Sequence, residues 1–160
     1  MTSVTGADRD RRRLTAGIKR TLRDLRNQLS ILNRQVGGRL ELRDVDLDCL
    51  DVISRHAPIS PSALARQAGL HPATLTGILD RLERAGWIVR DRHPSDRRAV
   101  TLRPVTDRGA EIFGLYAGMN ASLDQICAGY DEEQLRLIAD FLDRANTAGR
   151  DAATRLAEGD

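Results

Sequence analysis

Cysteine, lysine and long apolar runs are scarce in this chain, and each shortage excludes something. Of 160 residues two are cysteine, Cys49 and Cys127, too far apart to form a metal-spaced cluster. Each is expected as a small buried hydrophobe. A redox-sensing thiol is the alternative, and nothing basic or helix-starting stands beside either one to activate it. No run of about 18 apolar residues exists, which excludes a membrane-spanning helix. The opening segment, MTSVTGADRDRRRL, has no apolar signal core, so the expected location is cytoplasmic. The histidines are His56, His71 and His93, in no H-E-x-x-H or similar spacing, and no glycine-rich loop is set to cradle phosphate. Neither a metal nor a cofactor is expected, and an enzyme reading finds no catalytic constellation. Lys19 is the one lysine among 25 basic residues, a bias that follows genome composition as much as function. The length is that of one domain with a modest core.

What is present is concentrated between Pro61 and Thr106. Ser60 is placed to cap a helix and Pro61 to open it, where a missing N–H costs nothing. Ala63, Leu64 and Ala68 fit a turn and a half of helix. Gly69 supplies a left-handed stop and Pro72 restarts a helix three residues later. Leu75, Ile78, Leu79 and Leu82 then repeat at i, i+3, i+4, i+7 and form one apolar stripe. Gly86 ends that helix. Trp87, Ile88 and Val89 begin a strand, His93-Pro94-Ser95-Asp96 is a turn cluster, and Val100 and Leu102 alternate with Thr101 and Arg103 on a return strand. Two short helices joined by a tight turn, followed by a basic hairpin, are built to put the second helix in a DNA major groove with the hairpin on the backbone or minor groove beside it.

At 100° per residue the stripe leaves Ala73, Gly77, Asp80 and Arg84 on the opposite side of the second helix, with Thr74, Thr76 and Arg81 on its flanks. Small residues let a helix sit deep in a groove, and threonine meets a base edge or a thymine methyl. A solvated helix face is the bland alternative. Ser60, Ser62 and His71, at the two helix starts, are expected near the DNA backbone. The hairpin carries Arg90, Arg92, Arg97, Arg98 and Arg103 against Asp91 and Asp96. Charge on a hairpin edge also serves to block edge-to-edge pairing, but that does not explain a tip made mainly of arginine. Arginine suits a narrow, electronegative minor groove, so Arg92, Arg97 and Arg98 are candidate DNA contacts together with His93 and Ser95. Asp96, two residues before Arg98, can hold its guanidinium in a fixed pose.

Charge placement agrees. Residues 55–108 carry ten arginines against five acids, whereas residues 109–160 carry four basic against ten acidic side chains. Positive charge therefore lies where the groove-binding elements lie.

The flanks read as helices. Leu14, Ile18, Leu22, Leu25, Leu29, Leu32 and Val36 step by three and four, a sustained coiled-coil-like stripe. A helix from Arg9 to Val36 would span roughly 42 Å. That overhangs a small domain and calls for a partner, and Gly37-Gly38 is expected to break it. A second helix is expected over about Leu47 to Arg55, with His56 at its end, where a partial positive charge suits the dipole. Thr106 opens a helix carrying Ile112, Phe113, Tyr116, Met119 and Leu123. Asp131 and Gln134 make a capping-box start before Leu135, Ile138, Phe141, Leu142 and Ala145. The first several residues and the tail beyond about Arg150 are expected to fray. The bland alternative is that these helices only complete the core of a monomer.

At LARQAGLHPATLTGILDRLERAGWI and DRRAVTL the chain resembles the MarR family of bacterial transcriptional regulators. That family's pattern is a recognition helix ending in D-x-L-E-x-x-G and a wing with D-x-R. Here these are Asp80, Leu82, Glu83 and Gly86, then Asp96 and Arg98. The resemblance is clear over roughly residues 45–113. Gly77 departs from it, since many members carry arginine there, and VTLRPVT runs a residue longer than usual. The resemblance implies that Arg98 enters the minor groove with Asp96 orienting it. It implies that the first and the last two helices interlock in a homodimer, with Leu14, Ile18, Leu22 and Leu25 meeting Leu135, Ile138, Phe141 and Leu142. It also implies a small aromatic or phenolic ligand between the winged part and the dimer helices.

The expectation is a mainly α fold with a small β-hairpin wing, a winged helix-turn-helix with N- and C-terminal dimerisation helices. Its parts would be an N-terminal helix over 8–38, a DNA-binding winged domain over 45–105 and C-terminal helices over 106–150. The expected function is a sequence-specific regulator, most simply a repressor, that binds a pseudo-palindromic operator in double-stranded DNA as a homodimer. A winged-helix module that binds only protein is the competing reading.

Overall fold

The computed structural model describes residues 6–159 apart from 93–99, with Arg92 described in its backbone alone. Six helices and one hairpin follow in order: α1 Gly6–Leu40, α2 Asp44–His56, α3 Pro61–Ala68, α4 Pro72–Arg84, β1 Ile88–Arg92, β2 Val100–Pro104, α5 Thr106–Cys127 and α6 Glu132–Glu158. The chain packs as two units, Met1–Leu115 and Tyr116–Asp160, with the boundary inside α5.

In the first unit, α1 runs straight through Gly37-Gly38, contrary to the expected break. Gly37 is buried for a tertiary reason: a Cβ there would lie 2.6 Å from the Leu42 carbonyl oxygen. The chain reverses at Glu41, whose φ is 55°, and the Leu42 N–H donates to the Gly37 carbonyl at 2.9 Å. This is a Schellman-type close with a non-glycine residue in the left-handed position. Glycine at 37 thus permits the return of the chain and does not end the helix. The next helix, α2, starts at Asp44, ahead of the expected Leu47, because Asp46 accepts a hydrogen bond from the Arg43 N–H at 3.1 Å and closes the helix start. Apolar periodicity is blind to that.

Local punctuation places α3 and α4. Ser60 Oγ accepts from the Ala63 N–H at 3.2 Å, and Pro61 is the first helical residue. Gly69 takes φ 64°, and Gly86, beyond α4, takes φ 75°. The Leu75, Ile78, Leu79 and Leu82 stripe is buried, packed with Ile53, Leu64, Trp87, Ile88 and Leu102 in one core. Burying each such aliphatic side chain is worth about 1.5–3 kcal/mol.

The hairpin is antiparallel, with Arg90 opposite Leu102 and Ile88 opposite Pro104. A rung from a third segment was not foreseen. Ile59 pairs with Leu102, the Leu102 N–H donating to the Ile59 carbonyl at 2.8 Å and the Ile59 N–H to the Leu102 carbonyl at 3.2 Å. The wing is thereby anchored to the segment that leads into α3. Ile112 on α5, partly buried, packs against this core.

In the second unit, Asp131 caps α6. Its carboxylate accepts from the Gln134 N–H at 2.8 Å, and the Gln134 side chain accepts from the Asp131 N–H at 3.0 Å. The helix does not fray at Arg150. It continues through the helix-forming run DAATRLAE to Glu158. No residue of α6 is buried. Of the two cysteines, Cys49 is fully buried as expected, while Cys127, at the end of α5, is exposed.

Candidate nucleic-acid interface

The outward face of α4 is small and unobstructed. Ala73, Thr74, Thr76, Gly77 and Arg84 are all exposed. A Cβ on Gly77 would meet nothing within 4 Å. Thr76 donates its hydroxyl proton to the Pro72 carbonyl at 3.3 Å, which leaves its oxygen free to accept and fixes its methyl. His71 caps the helix: its Nδ1 accepts from the Ala73 N–H at 3.2 Å. Accepting at Nδ1 puts the proton on Nε2, so the exposed edge of the ring is a donor. At the start of α3, Ser60 is spent on the Ala63 N–H, and its Oγ lies 3.2 Å from that of Ser62, which is exposed.

Arg81 is placed differently. Its guanidinium turns inward, donating to the Asp46 carboxylate at 2.7 Å and to the Gly77 carbonyl at 3.3 Å. Two wing arginines are also paired. Arg90 reaches across to the recognition helix, 2.5 Å from an Asp80 carboxylate oxygen and 3.3 Å from one of Glu83. Arg103 pairs with Asp91 on the facing strand, two residues along in the register. That bond holds the Asp91 carboxyl below its ordinary pKa and raises that of the Arg103 guanidinium. The arginine surplus of the wing is therefore smaller than a count implies. The Arg92 side chain and all of His93, Ser95, Asp96, Arg97 and Arg98 lie outside the described residues.

The pairing also explains the D-x-L-E-x-x-G pattern physically. Asp80 and Glu83 clamp Arg90, Leu82 fills the core, and Gly86 turns the chain into β1 with a positive φ. Past that turn, Arg108 stacks on the Trp87 ring, 3.6 Å from its centroid, and donates to the Ala85 carbonyl at 2.6 Å, satisfying the end of α4.

Sequence reasoning missed Asp46, the Arg90 clamp and the Arg108–Trp87 stack. Only the D-x-x-E spacing carried a signal for any of them. Burial, then Asp46 and Asp48, push the Cys49 thiol up to about 11. A thiol so shifted has almost no thiolate at neutral pH. Among the described residues no group of three or more His, Cys, Asp or Glu side chains is arranged to hold a metal, and no helix is long and apolar enough to cross a membrane.

Comparison with known proteins agrees with this geometry. The MarR family model matches residues 42–100, which span α2 to the start of β2. The chain is 30% identical over 134 residues to the uncharacterized HTH-type transcriptional regulator YcgE of Bacillus subtilis (strain 168), across 84% of this chain and 87% of that protein. It is 27% identical over 90 residues to the HTH-type transcriptional repressor YetL of the same organism, across 54% of each. Streptococcus pneumoniae FabT, solved in complex with DNA, shares the fold with a TM-score of 0.65 at 22% identity, over 86% of this chain and 99% of that one. A winged core closed by the D-x-L-E-x-x-G clamp, together with a relative matched along nearly its whole length, gives one assignment: the chain belongs to the MarR family, whose members are transcriptional regulators and not enzymes.

Proposed function

We propose that this DNA-binding regulator acts as a repressor, and that it binds a pseudo-palindromic operator as a homodimer. The observation that carries the reading is the exposed α4 face of Ala73, Thr74, Thr76 and Gly77, small enough for a helix to seat deep in a major groove. His71 Nε2–H, Ser62 and Arg84 flank it as phosphate donors, and the wing arginines Arg92, Arg97 and Arg98 extend the contact to the neighbouring minor groove. Repression is supported by the likeness to YetL, a repressor by name.

The homodimer is supported by apolar side chains left in solvent. On α1, Leu14 is 70% and Ile18 47% exposed; on α6, Leu137 is 70% and Phe141 42% exposed. Leu22 and Leu135 are half-buried beside them, and Leu25, Ile138 and Leu142 are exposed. Scattered exposed leucines need no explanation, but continuous stripes on two helices mark an interaction surface. The small aromatic or phenolic ligand rests on the family resemblance alone. Its binding would change the spacing of the two recognition helices.

Selection of genomic fragments by the purified protein, followed by protection mapping, tests the reading. The expected footprint is an inverted repeat with half-sites about 10 base pairs apart centre to centre, the spacing that two-fold symmetry imposes. A single unrepeated half-site bound by a monomer would reject it. Release from that operator by phenolic acids, at concentrations that leave the dimer intact, tests the ligand.

A further inference from the structure

Among the described residues, one polar or charged side chain is buried: Asp46, at 3% exposure. Its two carboxylate oxygens have different tasks. One accepts from the Arg43 N–H at 3.1 Å and closes the start of α2. The other accepts from Arg81 Nη2 at 2.7 Å. The second terminal nitrogen of Arg81 donates to the Gly77 carbonyl, one turn earlier on α4, at 3.3 Å. The guanidinium is therefore held between the first turn of α2 and the backbone of the recognition helix. Its side chain is 36% exposed. An arginine on the flank of a recognition helix is an obvious phosphate or base contact. Here both terminal nitrogens are directed elsewhere.

Apolar packing does not by itself explain why this pair is kept. Leu75, Ile78, Leu79 and Leu82 hold α4 to the core, but hydrophobic contact is non-directional and tolerates small slides and rotations. Base readout does not tolerate them, because a site must be held within about 0.5 Å and 10–20° of its working geometry. A charge-assisted hydrogen bond with fixed partners at both ends supplies the missing direction. Gly77, whose carbonyl Arg81 grips, is itself in the middle of the outward face.

We propose that Asp46 and Arg81 form a positioning pair. It sets the placement of α4 against α2, and so the register in which Thr74, Thr76 and Gly77 meet the bases, while Arg81 itself touches no DNA. This rests on the DNA-binding reading above.

The test is anisotropy titration of the full-length protein, on its selected operator and on scrambled DNA, at several salt concentrations. The variants are Arg81→Met, Arg81→Lys, Asp46→Asn and the double Asp46→Asn/Arg81→Met. Removing one phosphate-binding cation lowers the slope of log K against log salt on duplex DNA by about 0.9. A positioning residue leaves the slope unchanged and lowers the operator-to-scrambled ratio instead. The expected result for Arg81→Met is a tenfold or greater fall in that ratio at constant slope, with part of the loss restored in Arg81→Lys. Asp46→Asn should show the same fall, although it deletes a negative charge and frees an arginine near DNA, which simple electrostatics would make tighter. The double variant leaves no buried charge unpaired, so it keeps the test open should a single variant unfold. It should be no worse than either single, as coupling through one contact requires. A slope reduced by about one in Arg81→Met, or tighter binding by Asp46→Asn, overturns the inference. So does an unchanged ratio in the double variant. A wild-type chain with no sequence preference overturns the DNA-binding reading, and the inference with it. A wild-type preference that survives all four substitutions overturns the positioning pair alone.

Discussion

The winged part of the first unit and the long flanking helices use the same apolar periodicity to opposite ends. In α4 the stripe is closed over: Leu82 is 0% exposed, as are Leu64 of α3 and Leu102 of β2. In α1 a longer stripe stays open, and of its seven members only Val36 is buried. The wing and its helices also pair their charges across elements, Asp46 with Arg81 and Asp80 and Glu83 with Arg90. The ion pairs of α6 join residues one turn apart, such as Arg136 with Glu132 and Arg144 with Asp140. Such local pairs steady a helix by a few tenths of a kcal/mol and hold nothing else in place. The first region is thus complete by itself. In the second, among the described residues, α6 buries nothing and the α1 stripe buries only Val36, which fits the homodimer proposed above.

The largest expected effect breaks that contrast at the open stripe. Leu14→Asp with Ile18→Asp places two charges where the proposed dimer buries leucine and isoleucine. Sedimentation should show a monomer, and operator affinity should fall about 100-fold or more, since the second half-site is no longer tethered. Far-UV helicity and the Trp87 fluorescence of the winged core should persist. A dimer that survives both charges would mean that the α1 stripe is not at the interface.

Next is the closed region's outward face. Gly77→Glu puts a carboxylate on the groove side, where a Cβ meets nothing within 4 Å. Operator binding should fall below detection, while the melting temperature stays put or rises slightly, because glutamate is the better helix former. Normal operator binding would show that this face does not enter the groove.

A smaller effect separates two arginines of one wing. Arg98→Ala should reduce the salt slope by about one unit, with the heavier affinity loss on A·T-rich flanks. Asp96→Ala should weaken binding as well if the carboxylate orients Arg98, whereas bare electrostatics predicts the reverse. Arg90→Met should leave the slope unchanged. Its guanidinium is committed to Asp80 and Glu83, so the loss is a wing held less firmly against α4, a few-fold in affinity. Stability should fall by under about 1 kcal/mol, because all three groups are partly exposed. Equal slope changes for Arg90 and Arg98 would erase the distinction.

How much of this was legible in the sequence follows the same division. The helix-turn-helix and the hairpin were legible because their signals are local: Ser60-Pro61, Gly69, Pro72 and Gly86 each act within a few residues. The end of α1 was not, since the role of Gly37 is set by the Leu42 carbonyl returning against it. The pairing of Arg81 with Asp46 was not legible either, because the partner lies 35 residues away, at the start of another helix. The Ile59–Leu102 rung was hidden for the same reason. Periodicity located the stripes of both regions but could not say which one the chain covers itself. That depends on whether other elements pack over the stripe, and spacing carries no such information.

The smallest expected effect concerns a flaw inside the complete region. Asp48 on α2 stands between Asp44 and Asp51, one turn to either side. Partial burial raises its pKa above the usual 3.8, and both neighbours raise it further. Asp51 has Arg55 as a partner, and Asp46 has Arg81. A carboxylate whose folded pKa lies above its unfolded value favours the fold only when protonated. Its contribution is therefore fully present below the unfolded pKa and is lost as pH rises through the folded one. At neutral pH it costs stability. Asp48→Asn removes that cost without changing shape, so it should raise the melting temperature slightly at pH 7. The gap between variant and wild type should narrow as pH falls through the folded pKa of Asp48 toward the ordinary 3.8. Thermal melts from pH 7 down to pH 4 read this directly. A gap that widened in acid would mean that the ionised carboxylate is stabilised in the fold after all.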